Sequence, residues 1–474
     1  MARTYRRNNS TKYRIRFPQI CLVMGQITSA THTRVRIWQL AALMCIVVII
    51  FLIYIQLTVP VRLTFESMVP SSLHLNRSKH SKDWFLSICV KQDLRLSLEN
   101  LPAVLGIWKQ SQDKECKCIY EVFTGIFSVQ YNPAKLIIPS SFESKVRKWL
   151  GSSEKVFQES KNQSVIFVYN EFTREQNTYN PIRGKRPLPI PEEPERLYVD
   201  RLAKDTASTC DFCQYEKFTA EEPFGRIISN YSATAANTFK LDTWHSLVLT
   251  RTHHPLNWTM VQFVDLYNTA QKWFSRAHIE NAEYKFPSLI WDLLPHAGAS
   301  QIHPHLHVFL DRVRYQGAME NWRTAAREYA QKNKRDFFQD MIDVHTLLGL
   351  SVQYGKAIAF ANLVPKKENE IVVISQEPNE DFNKLLYFVL RAFIDDMEQL
   401  CFSSGVAYPS LDGEKNEDRI PVFARLVTRG AVAEIRSDVS SLELFAATNA
   451  NTDPFEVIRV IQKSVEKRSQ MTKQ

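Results

Sequence analysis

The stretch Gly298-Ala299-Ser300-Gln301-Ile302-His303-Pro304-His305-Leu306-His307-Val308-Phe309-Leu310 constrains the chain more than any other, because three histidines alternate within it. Side chains at i, i+2 and i+4 of a β-strand share a face, so His303, His305 and His307 are expected on one side with Leu306 and Val308 packed behind them. Eight of the twelve histidines fall between His245 and His307. Such a concentration of titratable groups points to a reactive site rather than to surface imidazoles on an edge strand. Pro304 holds its predecessor extended, which suits an edge strand whose carbonyls hold a ring nitrogen of the neighbouring histidine.

With 474 residues and 45% hydrophobic content the chain can bury more than one core, and two globular units with accessory segments are expected. The net charge of +9 looks like a nucleic-acid signal, but residues 1–36 hold eight Lys/Arg and no acid, and the remainder is close to neutral. No nucleic-acid partner is therefore expected. Residues 37–61 contain no charge, long enough as a helix to cross about 30 Å of hydrocarbon, so a transmembrane helix is expected over 37–59. The basic residues precede it and only Arg62 follows closely. By the positive-inside rule this predicts a type II, single-pass protein with everything after about residue 60 lumenal or extracellular, a layout that resembles that of Golgi and endoplasmic-reticulum type II proteins. Sequons at Asn76, Asn162, Asn230 and Asn257 are compatible with a glycoprotein.

Eight scattered cysteines are too sparse for a disulfide scaffold, although some of Cys89, Cys116, Cys118 and Cys401 could pair in an oxidising lumen. Residues 60–175 read as stem and accessory segment, without a motif, and Pro187–Pro194 as an extended linker. From there the pattern is strand (224–228), strand (245–250), a helix with Val261, Val264, Tyr267, Ala270, Phe274 and Ala277 at helical spacing, and the histidine strand. The order recurs as 354–360, 371–374, a helix bearing Phe382, Leu385, Leu386, Val389, Leu390, Phe393, Ile394 and Met397, and the strand 422–427. Two tandem units, 176–345 and 346–474, are expected behind a basic tail (1–36) and the membrane helix, giving an α+β fold of antiparallel sheet with helices. No histidine follows His345, so the second unit keeps the fold without the chemistry.

Three segments together, Cys210-Asp-Phe-Cys213, His245-Ser-Leu-Val-Leu-Thr-Arg-Thr-His253 and Gly298 to His307, resemble the histidine triad superfamily in its galactose-1-phosphate uridylyltransferase branch. The doubled unit and the segment Asn180-Pro-Ile-Arg183-Gly-Lys-Arg186-Pro187 strengthen the likeness, which covers about residues 175–465. The resemblance implies a nucleotidyltransferase acting at the α-phosphate of a nucleotide sugar or related nucleotide. A sugar phosphate or phosphate would be the acceptor, and His305 the nucleophile. It also implies phosphate binding by Ser300, Arg183 and Arg186, nucleoside binding near Asn237, and a structural zinc held by Cys210, Cys213, His253 and His303. His245 is expected to line the nucleotide pocket, and His254 and His296 to be surface or core residues. A Cys210–Cys213 disulfide is the rival to zinc. His307 departs from the transferase pattern, which has glutamine there; histidine belongs to the hydrolase branch and can donate a proton to a leaving group. Hydrolysis or phosphorolysis of a nucleotide sugar or dinucleotide is thus the alternative, followed by a catalytically silent binding domain. A homodimer is left open as the assembly.

Overall fold

Thirteen short strands, most of them apolar on at least one face, pair into two sheets in a computed structural model that describes residues 75–92, 94–186, 193–413, 419–434 and 438–472. In chain order they are β1 (Phe127–Lys135), β2 (Asn162–Asn170), β3 (Gln176–Tyr179), β4 (Ser232–Ala236), β5 (His245–Thr250), β6 (Phe286–Leu293), β7 (His305–Asp311), β8 (Ser351–Tyr354), β9 (Ala357–Ala361), β10 (Ile371–Ser375), β11 (Phe402–Ala407), β12 (Val422–Thr428) and β13 (Ala447–Thr448). The smaller sheet runs β1-β2-β3-β13 and the larger β4-β5-β7-β6-β11-β12-β10-β9-β8. Read outward from the β6–β11 pair, the order β6-β7-β5-β4 on one side is matched by β11-β12-β10-β9 on the other, with Ile290 facing Gly405 at the seam.

Each run of strands is followed on one face by a helix. Met260–Glu280 begins at a capping box, in which the Thr259 hydroxyl accepts from the Gln262 amide while the Gln262 side chain accepts from Thr259 N, so two otherwise orphaned N–H groups are satisfied. Phe263, Leu266, Tyr267, Ala270, Trp273, Phe274 and Ala277 are buried on β4, β5 and β7. Val261, expected inward, is 59% exposed, because the buried stripe is rotated toward Phe263 and Leu266. The helix Glu380–Arg391 covers β9 and β10 with Phe382, Leu385, Leu386, Val389 and Leu390, as its spacing predicts. The opposite face of the larger sheet carries the histidines on one side of the seam. On the other side, Arg425 is buried among Glu175, Glu370 and Trp322.

The fold class is corrected in one respect. Among the described residues no helix is long and apolar enough to cross a membrane. The longest of them, Met260–Glu280, carries Asp265, Lys272, Arg276 and Glu280 on the side turned away from its buried stripe, each costly in hydrocarbon. For the described residues the α+β description is therefore corrected to one without a membrane-spanning helix; the expected one, 37–59, lies outside them, and the type II lumenal localisation built on it is withdrawn.

Residues 224–228 form only isolated bridges, Gly225 turning at φ +85°, and the strand starts at Ser232 instead. Two strands, β6 and β11, escape the periodicity argument. Phe402-Ser-Ser-Gly-Val-Ala has little strand propensity of its own and is extended by its neighbours on both sides. Cys89 and Cys116 form a disulfide, whereas Cys118, Cys210, Cys213 and Cys401 are free thiols.

Candidate active site and metal centre

β7 lies between β5 and β6 and is an interior strand, not the edge strand expected from Pro304. Its Leu306, Val308 and Leu310 are fully buried on the helix side, which stabilises the register by roughly 1.5–3 kcal/mol per side chain. That burial forces His305, His307 and Phe309 onto the other face. His305 stands opposite Leu249, and His307 opposite Leu247 and Ile290. His303 precedes the strand in a bend, so its ring diverges from the other two. Pro304, which has no N–H to offer, lends its carbonyl to the Thr250 amide at 3.1 Å.

Hydrogen bonds assign the ring nitrogens. Nδ1 of His305 lies 2.8 Å from the carbonyl of His303 and can only donate to it, leaving Nε2 as a free lone pair. The Leu241 amide donates to Nδ1 of His245 at 3.1 Å, so His245 carries its proton on Nε2. That Nε2 lies 3.0 Å from Nδ1 of His307, which must accept, and His307 therefore bears its own proton on Nε2. Burial pushes His245, His303, His305 and His307 down to about 4, so all four are neutral at pH 7. The result is a ring with a free lone pair beside a ring with a free N–H, their centroids 5.1 Å apart.

At the other end of the row, Nδ1 of His303 lies 3.5 Å from the sulfurs of both Cys210 and Cys213, and Nδ1 of His253 lies 3.4 Å from Cys213. All four ligand atoms fall within 4.8 Å of one another. In a tetrahedron with metal–sulfur and metal–nitrogen bonds near 2.3 and 2.0 Å, sulfur and nitrogen sit about 3.5 Å apart, so these residues fit a metal ion. The remaining ring nitrogens are held by backbone oxygens. Nε2 of His303 donates to Thr250 at 2.8 Å, and that of His253 to Ala203 at 3.0 Å. Metal-binding imidazoles are usually fixed in this way. Cys210 caps the short 3-10 turn Asp211–Gln214 and Cys213 lies within it; they are not bonded to each other, so the rival disulfide is not formed.

Asn237 reaches the same cluster, its side-chain nitrogen 3.3 Å from Nε2 of His245, and its oxygen accepts from the Phe239 amide. Ser300 is exposed on the loop leading into His303, and Arg183 and Arg186 are exposed on and beside the 3-10 turn that follows β3. His254 pairs with Asp200 at 2.9 Å, away from the metal ligands, and His296 is half-buried. Sequence reasoning missed Phe212, whose ring edge meets His303 and His305 at 5.9 and 5.1 Å. Its place between the two cysteines was the available signal. Phe309 was also missed, although it follows His307 at the same two-residue spacing; it stacks on His245 at 4.2 Å. Buried Glu222 accepts from Ser246 and Lys240 and so anchors the strand behind His245; nothing in its sequence context marked it.

No family model and no curated protein matches the chain. Among solved structures it is similar to an ADP-glucose phosphorylase from Arabidopsis thaliana with bound ADP-glucose, at TM-score 0.49 and 14% identity, covering 61% of this chain and 96% of that one. A uridylyltransferase is similar at TM-score 0.42 and 13% identity, covering 51% and 84%. A yeast Ap4A phosphorylase in complex with AMP is similar at TM-score 0.30 and 12% identity, covering 69% and 96%.

Proposed function

We propose that this chain is a nucleotidyltransferase acting at the α-phosphate of a nucleotide sugar or related nucleotide, through a nucleotidyl-His305 intermediate. The observation that carries the reading is the bond from Nδ1 of His305 to the carbonyl of its own neighbour His303, which aims an unprotonated Nε2 out of the sheet. Nε2 forms a bond to the α-phosphorus as the bond from phosphorus to the leaving oxygen breaks; the leaving group departs as an anion with that electron pair, and the Nε2–H of His307 donates a hydrogen bond to its oxygen. The carbonyl of His303 stabilises the cationic ring as it forms. An acceptor hydroxyl or phosphate oxygen then attacks the same phosphorus and frees His305.

In this reading Ser300 and the guanidinium groups of Arg183 and Arg186 bind phosphate oxygens, the latter in paired hydrogen bonds. Asn237 and His245 line the nucleoside pocket. The metal is assigned as zinc on the chemistry of its donors, two thiolates and two imidazoles. With four protein ligands the centre is closed, and it ties the segment around Cys210 and Cys213 to the residue next to the strand of His305. A second reading, hydrolysis or phosphorolysis of a nucleotide sugar or dinucleotide, is favoured by one observation, the imidazole of His307 beside His305, which can take up a proton from an attacking water and return it, as a glutamine amide cannot.

Incubating the protein with α-labelled UDP-glucose, GDP-sugars, ADP-glucose and dinucleotides tests this. Acid-labile label on His305, absent from His305→Ala, is the expected result. No label from any of them in the wild type would refute it. Release of free nucleotide without an acceptor would select the second reading.

A further inference from the structure

The link from β6 to the histidines is strained. Leu294 leaves β6 at φ 76°, ψ 156°, a backbone region that only glycine enters freely, and it is nevertheless fully buried. A three-residue 3-10 turn, Pro295–Ala297, follows, and then Gly298 at φ 111°. For a residue with a Cβ such as Leu294 this conformation is unfavourable and persists only where surrounding contacts over-determine it.

The contacts come from beyond the β6–β11 seam. Nη1 of Arg429, one residue past the end of β12, donates to the carbonyl of Ala297 at 2.9 Å and to the hydroxyl of Ser403 at 2.7 Å. That hydroxyl in turn donates to Asp292 at 2.5 Å, and the other oxygen of Asp292 stands 3.9 Å from where a Cβ on Gly298 would lie. Asp292 is two residues along β6 from Ile290, which faces His307, so these groups are on the histidine face. Nε and Nη2 of Arg429 both go to Asp438, at 2.6 and 2.8 Å, and Lys367 stands 3.6 Å from that carboxylate. The guanidinium is committed to protein groups on every edge. It has no spare fork for a phosphate, which decides against reading it as a substrate-binding cation.

We infer that Arg429 is a positioning residue: it fixes the strained 294–298 turn through the Ala297 carbonyl, and with it the loop that places Ser300, His303 and His305. The inference concerns the reaction proposed above and rests on that reading for its kinetic consequence. A shift of about 1 Å at a reacting group can cost on the order of a hundredfold in rate.

The test uses full-length wild type, Arg429→Ala, Arg429→Lys and Ser403→Ala. Amide hydrogen exchange needs no substrate. The expected result is exchange over 298–302 faster by roughly tenfold or more in both Arg429 variants and less so in Ser403→Ala, with 357–375 unchanged. In the kinetic arm kcat is expected to fall by roughly 10- to 100-fold at nearly constant KM, and added guanidinium ion to restore part of it in Arg429→Ala but not in Arg429→Lys. Unchanged exchange over 298–302, exchange raised equally everywhere, or a raised KM at constant kcat would each overturn the inference. A wild type that labels with no nucleotide refutes the proposed reaction instead, and the exchange arm still decides about Arg429.

Discussion

Removing Arg425 should unfold the protein far more readily than removing an arginine from a surface ion pair. Nη1 of Arg425 donates to Glu175 at 2.6 Å, Nε and Nη2 donate to the two oxygens of Glu370 at 2.8 and 3.0 Å, and the guanidinium lies over the Trp322 ring at 5.2 Å. The three side chains are only 13%, 7% and 0% exposed. Truncation to methionine keeps most of the apolar stem but leaves Glu370 buried without a cation and Glu175 with only Lys366, 3.6 Å away. The cost of breaking one partner of such a buried group is about 3–5 kcal/mol. The control is Arg174, paired with Glu328 at 3.4 Å with both side chains about half exposed. Screening by water and the entropy of two long side chains leave that pair less than about 1 kcal/mol. Urea unfolding at pH 7 followed by tryptophan fluorescence should therefore separate Arg425→Met from Arg174→Met by at least ~2 kcal/mol. The triple change Arg425→Met, Glu175→Gln, Glu370→Gln should recover most of the difference, because no uncompensated charge remains. Equal losses in Arg425→Met and Arg174→Met would refute the reasoning, since they would mean that water reaches the buried carboxylates.

His345 is a fully buried histidine that donates to the Met341 carbonyl, and burial holds it down to about 4. The unfolded chain binds its proton near pH 6.5, so its contribution to stability is present above that pH and lost as pH falls from 6.5 to 4, by up to ~3 kcal/mol; urea midpoints of wild type and His345→Gln across this range should diverge accordingly. Elemental analysis should find one zinc per chain in wild type and none in Cys210→Ala, and a strong chelator should lower the melting temperature of the former only. His307→Ala, which removes the N–H donor, should slow labelling of His305 by roughly 10²-fold, and His307→Gln, which keeps an N–H donor there, by less, read by rapid quench. Reducing the Cys89–Cys116 bond, which closes a 27-residue separation, should cost about 3–4 kcal/mol by equilibrium unfolding with and without reductant.

The sequence displayed the site better than it displayed the sheet. Histidine spacing marked the strand that carries His305 and His307, and the resemblance, not the spacing, supplied His253 and His303 as partners of the CxxC. The metal set Cys210, Cys213, His253 and His303 spans 94 positions, yet its geometry follows from β5 and β7 pairing in one register. What escaped were features fixed only by neighbours in space. β11 owes its extension to β6 and β12, Phe212 its relevance to the rings it abuts, and Arg429 its task to a carbonyl 132 residues away. The interior position of β7 was hidden for the same reason. Pro304 is tolerable inside a sheet because the residue sits just before the ladder and contributes only its carbonyl.

The mirrored strand order limits how much of the chain can be removed. β6 and β11 are the only bridge between the two runs of strands in the larger sheet, and each satisfies the other's backbone groups over six residue pairs. A chain shortened after about residue 345 would expose β6 as a long, unprotected template for another molecule to pair with, and would lose the cation that steadies its own histidine loop. The run of strands that carries no histidine therefore has structural work: it keeps β6 paired and out of reach of a second molecule.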